Sequence, residues 1–231
     1  MERNRLVIAI DGPAASGKST TAKLVAQQLG YIYIDTGAMY RAVTLAALRD
    51  GVDPTNRREV EELASRLSIH FQPQADGSLR TILNEEDVSR EIRSQEVTKS
   101  VSTVSAWPGV REAMVQLQRE MSKDGGVVMD GRDIGTVVFP DAEVKVFMVA
   151  DIHARAQRRR VELVVDGREI LVEDVATDLE RRDQLDSSRE ESPLRKADDA
   201  VEIDTSSLTI EEQVAIVLNL AQNVRERKIS G

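Results

Sequence analysis

Five short apolar runs divide the chain, and helix-compatible stretches separate most of them. Leu6–Ile10 reads Leu-Val-Ile-Ala-Ile with no polar interruption, and similar runs cover Tyr31–Ile34, Val127–Met129, Val144–Ala150 and Ala200–Ile203. The first, being uninterrupted, suits a strand buried on both faces, while Lys145 and Glu202 interrupt the last two. After the first, Thr20–Leu29 has a helical pattern that stops at Gly30, a residue favoured just past a helix end. Val110, Met114, Leu117 and Met121 recur at i, i+4, i+7 and i+11 behind Pro108, which suits a helix's first turn. Thr209 and Glu212 have capping-box spacing ahead of an apolar stripe at Val214, Val217, Leu218 and Ala221. Strands alternating with helices predict an α/β fold, a five-stranded parallel sheet covered on both faces.

Two segments break that rhythm. Residues 36–104 contain helical patterns, then Leu67–Phe71 and Leu79–Leu83 around Asp76-Gly77, the pattern of a β-hairpin. A further helical face carries Val97, Val101 and Val104. The segment is too long for an ordinary connection and reads as an inserted subdomain. Residues 151–189 are dense in charge, with Asp166-Gly167 near the middle. This is the pattern of a solvated helical hairpin, or of a cover over a phosphate site. The remaining stretches, 1–35, 105–150 and 190–231, form the core in this division.

The turn after the first strand reads Gly12-Pro13-Ala14-Ala15-Ser16-Gly17-Lys18-Ser19, a complete G-x-x-x-x-G-K-[ST] phosphate-binding loop, and Thr20 continues into the helix. The strand before it and the helix after it make the match meaningful. Gly12 and Gly17 let backbone N–H groups converge on an anion, the helix start adds partial positive charge, and Lys18 reaches the outer phosphates. Ser19 offers a hydroxyl to Mg²⁺. The loop predicts triphosphate binding but does not separate an ATPase, a GTPase and a kinase.

Two further groups sit where open α/β sheets bind ligands, at strand C-terminal ends. Asp35-Thr36-Gly37-Ala38-Met39-Tyr40-Arg41 follows the second strand. Thr36 can donate to a phosphate oxygen, and Arg41 can pair with a phosphate bidentately. Asp130-Gly131-Arg132-Asp133 follows the third. Asp130 stands where such proteins hold Mg²⁺ directly or through water, Arg132 can bind an anion, and Asp133 can accept from a base amino group or a sugar hydroxyl. The charged segment supplies Arg155 and Arg159 at i, i+4, then Arg182, Asp186 and Arg189 at i, i+4 and i+7. Preorganised arginines lower the energy of a phosphoryl group in transfer, and delivery by a closing segment limits its loss to water.

Composition narrows the field. The chain of 231 residues is 41% hydrophobic and 31% charged, the balance of a soluble globular protein. No run approaches a membrane span, and Met1–Arg5 has no signal-peptide pattern. Cys is absent, which removes disulfides and thiolate metal sites and suits a reducing cytosol. With only His70 and His153, a histidine metal cluster is not expected. A net charge of −9 and 3% aromatic residues speak against a nucleic-acid-binding module. A regulatory nucleotide switch lacks support too, because no N-K-x-D guanine signature is present.

These motifs together resemble the bacterial cytidylate kinase family, within the nucleoside monophosphate kinases. The resemblance covers essentially the whole chain: Ile10-Asp11-Gly12-Pro13 with its loop, Asp35–Arg41, Val110-Arg111-Glu112, Asp130-Gly131-Arg132-Asp133-Ile134-Gly135-Thr136-Val137-Val138-Phe139-Pro140, and Arg181-Arg182-Asp183. The Asp-Gly-Arg-Asp run continuing to Phe139-Pro140 is the most specific, and with the hairpin insert it separates this family from adenylate and thymidylate kinases. Other small-molecule P-loop kinases, for uridylate or shikimate, are the nearest rivals.

The resemblance implies a core, a monophosphate-binding insert and an arginine-bearing lid. It implies transfer of phosphoryl from ATP to CMP or dCMP with Mg²⁺ held at Ser19 and Asp130, by a cytoplasmic monomer with no nucleic-acid or membrane partner. It implies that Gly12 to Thr20 bind ATP, and that Lys18, Arg132, Arg155 and Arg159 act on the group in transfer. By the same match, Thr36, Arg41 and Arg132 hold the acceptor phosphate. Ser102, Arg111 and Asp133 recognise cytosine, and Arg182, Asp186 and Arg189 contact sugar or phosphates. The family commonly has Ser where Thr36 stands, so the hydroxyl is retained.

Overall fold

The computed structural model describes residues 5–74, 79–165 and 170–230, which divide into two compact units. The first unit comprises residues 1–33 and 124–231; the second is the intervening 34–123. The second unit thus runs past residue 104, through the helix that starts at Pro108.

The five apolar runs become five strands: β1 (Val7–Asp11), β2 (Ile32–Asp35), and, later in the chain, Val127–Gly131, Val144–Val149 and Val201–Asp204. Numbered in chain order with the three strands of the second unit, these last are β6, β7 and β8. They form one sheet in the order β2-β6-β1-β7-β8. β1 pairs in parallel with β6 and β7, and β7 with β8. The register sets Asp11 opposite Gly131, so the turn after β1 lies beside the turn after β6. This juxtaposition positions the candidate site.

Helix α1 (Lys18–Leu29) ends at Gly30 in the left-handed region, φ 66°. The C-terminal helix, α8 (Ile210–Ser230), begins with the reciprocal bonds the sequence foretold: Thr209 N–H donates to Glu212 Oε2 at 2.8 Å, and Glu212 N–H to Thr209 Oγ1 at 3.2 Å. Both helices bury one stripe on the sheet. Ala22, Val25 and Ala26 of α1, with Val214, Val217 and Ala221 of α8, pack on Ile8, Ile10, Val146 and Met148. The charge-rich segment is a pair of helices, α6 (Ile152–Val165) and α7 (Val172–Ser188), joined through Ala156, Leu163, Val175 and Leu179. Ala14 and Ala15 of the phosphate-binding loop pack against that small cluster. Asp166-Gly167 falls outside the described residues.

The second unit contains α2 (Thr36–Arg49), α3 (Arg57–Ala64), α4 (Gln95–Val104) and α5 (Pro108–Met121). Its antiparallel sheet joins β3 (Ile69–Pro73), β4 (Leu79–Leu83) and β5 (Glu86–Asp87). The hairpin is thus present, with Phe71 opposite Thr81, while its Asp76-Gly77 turn lies outside the described residues. The buried face of α5 is turned from the apolar stripe. Val110, Arg111, Met114, Val115 and Gln118 are buried, while Leu117 and Met121 are half-buried. Two polar side chains on the inward face displaced the stripe.

Candidate active site

The phosphate-binding loop is shaped by its backbone. Gly12 has φ +145°, and a Cβ there would lie 2.1 Å from Met148 O, so both conformation and space demand glycine. Gly17 has φ +93°, and its missing Cβ would meet Gln213 Oε1 at 2.7 Å. That oxygen also accepts from the Thr21 hydroxyl at 2.9 Å, which ties α1 to α8 behind the loop. Lys18 is buried and folds back over the loop, its Nζ donating to Pro13 O at 2.5 Å and to Ser16 Oγ at 3.4 Å. Thr205 braces the loop from the turn after β8, its hydroxyl donating to Ser16 O at 2.9 Å.

Ser19 and Asp130 are brought together, with the Ser19 hydroxyl donating to Asp130 Oδ2 at 2.7 Å. Tyr33 donates to the other carboxylate oxygen at 2.8 Å. Ser19 and Thr20 are both exposed. Among the described residues no group of three or more His, Cys, Asp or Glu could hold a metal ion. A hydroxyl beside one carboxylate suits Mg²⁺, which takes few protein oxygens and completes its shell with water and phosphate.

The turn after β6 joins this group to the charged helices. Arg132 Nε donates to Asp186 Oδ2 at 2.8 Å. Arg189, just past α7, lies on the far side of Asp186, 3.9 Å from Oδ1. Arg155 donates to Asp183 Oδ2 at 2.5 Å and to the carbonyl of Ala14, inside the phosphate-binding loop, at 3.3 Å. Arg182 has a buried Nε without a partner among the described residues. Arg159 takes Glu162 at 2.6 Å, and Arg158 takes Thr205. Asp183, quoted from sequence only within the Arg181-Arg182-Asp183 motif and without a role, belongs to this network, as does Tyr33, which was not singled out. Their pairings span many residues, and no spacing signals them.

Burial, and then the crowding of charge, set the electrostatics. Burial, then the Arg132 guanidinium, pull Lys18 down to about 7, against the carboxylates of Asp130, Asp11 and Asp186. Burial and Arg132 likewise lower Arg182 to about 10. Asp186 behaves oppositely: burial would raise it, but Arg132, Arg189 and Arg182 hold it below the usual carboxylate range. Lys18, Arg132 and Arg182 are thus gathered at one place, where an arriving phosphate would meet positive charge.

The second unit holds its own set. Thr36 is buried at the start of α2, whose cap is Asp35, accepting from Ala38 N–H at 3.0 Å. Arg41 donates to Thr98 Oγ1 at 3.1 Å. Arg111 is buried, donates to Ser105 O at 3.1 Å, and stacks 5.3 Å above the Tyr40 ring. Tyr40 is the addition here, since the sequence reading quoted it without giving it a role. Ser102 lies half-buried on α4.

A parallel sheet ending in this loop, followed by an arginine-rich helix pair, defines a P-loop α/β protein. A family model described as Cytidylate kinase matches residues 8–223, so the chain belongs to the cytidylate kinase family. Proteins named cytidylate kinase from Bacillus cereus (strain B4264) and Bacillus thuringiensis (strain Al Hakam) are each 52% identical over 220 residues, covering 95% of this chain and 97% of theirs. A solved gluconokinase from Sinorhizobium meliloti 1021 is similar at TM-score 0.50 and 15% identity, covering 98% of this chain and 97% of its own; this likeness concerns the fold alone.

Proposed function

We propose that the protein is a cytidylate kinase, transferring the γ-phosphoryl group of ATP to CMP or dCMP and releasing ADP with CDP or dCDP. The observation that carries this reading is near-full-length identity of 52% to proteins of that name. On this reading it acts as a cytoplasmic monomer; among the described residues no helix is long and apolar enough to cross a membrane. Residues 36–104 bind the monophosphate, and 151–189 form the lid.

The chemistry needs no protein base. The acceptor phosphate is largely a dianion at neutral pH and already nucleophilic, so positioning and charge stabilisation suffice. Its oxygen forms a bond to Pγ as the bond from Pγ to the leaving ADP oxygen breaks. Gly12 to Thr20 cradle the donor phosphates with their N–H groups. Lys18, lowered in its pKa by burial and Arg132, gains a partner when phosphate charge arrives, which favours its ammonium form on the group in transfer. Arg132, Arg155 and Arg159 add cationic charge there, while Arg182, Asp186 and Arg189 contact sugar or phosphates. Ser19 and Asp130 would hold Mg²⁺, which supplies charge neutralisation on the phosphates.

Thr36 and Arg41 bind the acceptor phosphate. Ser102 and Arg111 donate to cytosine acceptors, and Asp133 accepts from the N4 amine. Uracil presents an oxygen where cytosine presents N4, so an acid facing it is penalised. ADP release measured with CMP, dCMP, UMP, AMP and shikimate tests the reading, which expects CMP and dCMP to be preferred. Asp133→Ala is expected to lower kcat/KM for CMP about tenfold more than for UMP. Equal losses would remove Asp133 from recognition.

A further inference from the structure

The phosphate-binding loop is also held by a turn that no motif announces. Just past β8 stands Thr205, which is fully buried. Its N–H donates to Val149 O at 2.8 Å, at the end of the pairing between β7 and β8. Its hydroxyl lies 2.9 Å from Ser16 O and 3.1 Å from Val149 O. Arg158, on α6, closes the arrangement. Its Nη1 donates to the same hydroxyl oxygen at 3.1 Å, and its Nη2 donates to the Thr205 carbonyl. A hydroxyl has one proton to give, and with Arg158 donating into its oxygen the Thr205 hydroxyl gives that proton to a carbonyl. Val149 O already takes the Thr205 N–H, and Ser16 O is the nearer of the two.

The Ser16 carbonyl matters for what stands opposite it. Across a trans peptide the C=O and the following N–H point in opposite directions, and every described peptide bond is trans. A carbonyl held on Thr205 therefore turns the Gly17 N–H away from Thr205. That N–H is one of those proposed to cradle the donor phosphates. Gly17, at φ +93°, would by itself leave the peptide free to rotate. The first bond of α1 runs from Thr21 N–H to Gly17 O at 3.0 Å, so the helix takes no hold on Ser16 O.

The same helix, α6, meets the loop a second time. Arg155, three residues before Arg158 and on the same face, donates to Ala14 O at 3.3 Å. The start of α6 is seated on the turn as well. Asp151 N–H donates to Ser206 Oγ at 2.8 Å, and Ser206 Oγ donates to Asp204 Oδ1 at 2.6 Å. Two alternate carbonyls of the loop, the turn after β8 and α6 are thus one connected set.

Building on the triphosphate half of the kinase reading, we propose that Thr205, with Arg158 behind it, is a positioning residue for the donor phosphates: it holds the Ser16–Gly17 peptide in the orientation that presents the Gly17 N–H to the anion. Both side chains act through the loop backbone and not by touching the nucleotide. Arg158 differs in this from its neighbour Arg159, which the kinase reading assigns to the group in transfer.

Thr205→Val keeps the shape of the side chain and removes the hydroxyl. Binding of ATP and of inorganic tripolyphosphate, each without CMP, would be measured by titration calorimetry on wild type, Thr205→Val and Thr205→Ser. Both Kd values should rise about tenfold in Thr205→Val, the effect of one lost hydrogen bond, and Thr205→Ser should recover most of that loss. CMP binding without ATP should stay within about twofold of wild type. Arg158→Met, which keeps an apolar stem, should weaken both ligands about threefold alone and add at most about twofold to Thr205→Val, because it acts through that hydroxyl. It decides the matter if Thr205→Val does not fold. A lowered thermal midpoint with both affinities intact would overturn the proposal and leave Thr205 a structural residue. A loss confined to ATP, with tripolyphosphate unaffected, would overturn it too, by moving the defect to the nucleoside. Fully additive losses in the double variant would overturn the part given to Arg158. If wild type left CMP unphosphorylated while Thr205→Val still lost ATP and tripolyphosphate, the acceptor assignment would fall and the proposal would stand. Wild type that bound neither ligand would overturn both.

Discussion

The Gly12–Ser19 loop and the α6–α7 helix pair lie in the same compact unit and hold charge in opposite ways. In the loop, three residues have positive φ (Gly12, Ala15 and Gly17), and Lys18 rests on a carbonyl of the loop itself. Its geometry is written into eight consecutive residues. In the helix pair Arg155 is held by Asp183, far along the chain, and Asp186 by Arg132 from the turn after β6, while Arg159 pairs locally with Glu162. The first arrangement tolerates no added atom, whereas the second is a set of ion pairs that can exchange one anion for another. A site built from backbone fails abruptly when altered, and a site built from side chains fails by degrees.

Lys18→Ala should produce the largest effect, a loss of turnover of about a thousandfold with the thermal midpoint close to wild type. Near-normal turnover would remove Lys18 from the transfer step. Gly12→Ala tests the backbone half. A strained φ and a contact with Met148 O should cost about 3 kcal/mol, read as a midpoint drop of roughly 6–12 °C in a chain of this size. A drop of a degree or less would show that the loop has slack.

Asp186→Asn tests the side-chain half. Removing the charge between Arg132 and Arg189 should cost about 2 kcal/mol, reduced from a fully buried pair because Arg132 is partly open. The pH dependence fixes the sign. The folded carboxyl lies below its unfolded value of 3.8, so its contribution is present above that pH and is lost as pH falls through the folded pKa. The stability gap between wild type and Asp186→Asn should therefore narrow as denaturation is measured from pH 7 down toward pH 3, and a constant gap would refute the assignment. Arg159→Ala should be mildest. Its present partner is the neighbouring Glu162, so the midpoint should not move, while kcat falls about tenfold and CMP binding without ATP stays within about twofold.

The same contrast explains what the sequence revealed. The five strands were legible because each is an apolar run, and α8 because Thr209 and Glu212 cap it within one turn. The phosphate-binding loop was legible because its physics is local. β5 was not, since Glu86-Asp87 is two exposed polar residues, paired with β4 and tied to Arg49 and Ser89 by side-chain bonds that no apolar run signals. The face of α5 was misread because Arg111 and Gln118 are buried, and a search for apolar periodicity passes over them. Arg155 and Arg182 were visible as candidates, but Asp183 as the partner of Arg155 was not, because nothing in the spacing of residues 28 positions apart selects one acid among several. Thr205 gave no signal at all. Its contact with the loop depends on β8 ending beside a carbonyl 189 residues earlier in the chain.

The central claim, that charge gathered around Lys18 serves transfer to an acceptor and not hydrolysis, is tested most directly by following the label from γ-³²P-ATP with CMP present. The account predicts that the label enters CDP, with one CDP formed per ADP and little inorganic phosphate. Label appearing as inorganic phosphate at a rate indifferent to CMP would contradict it.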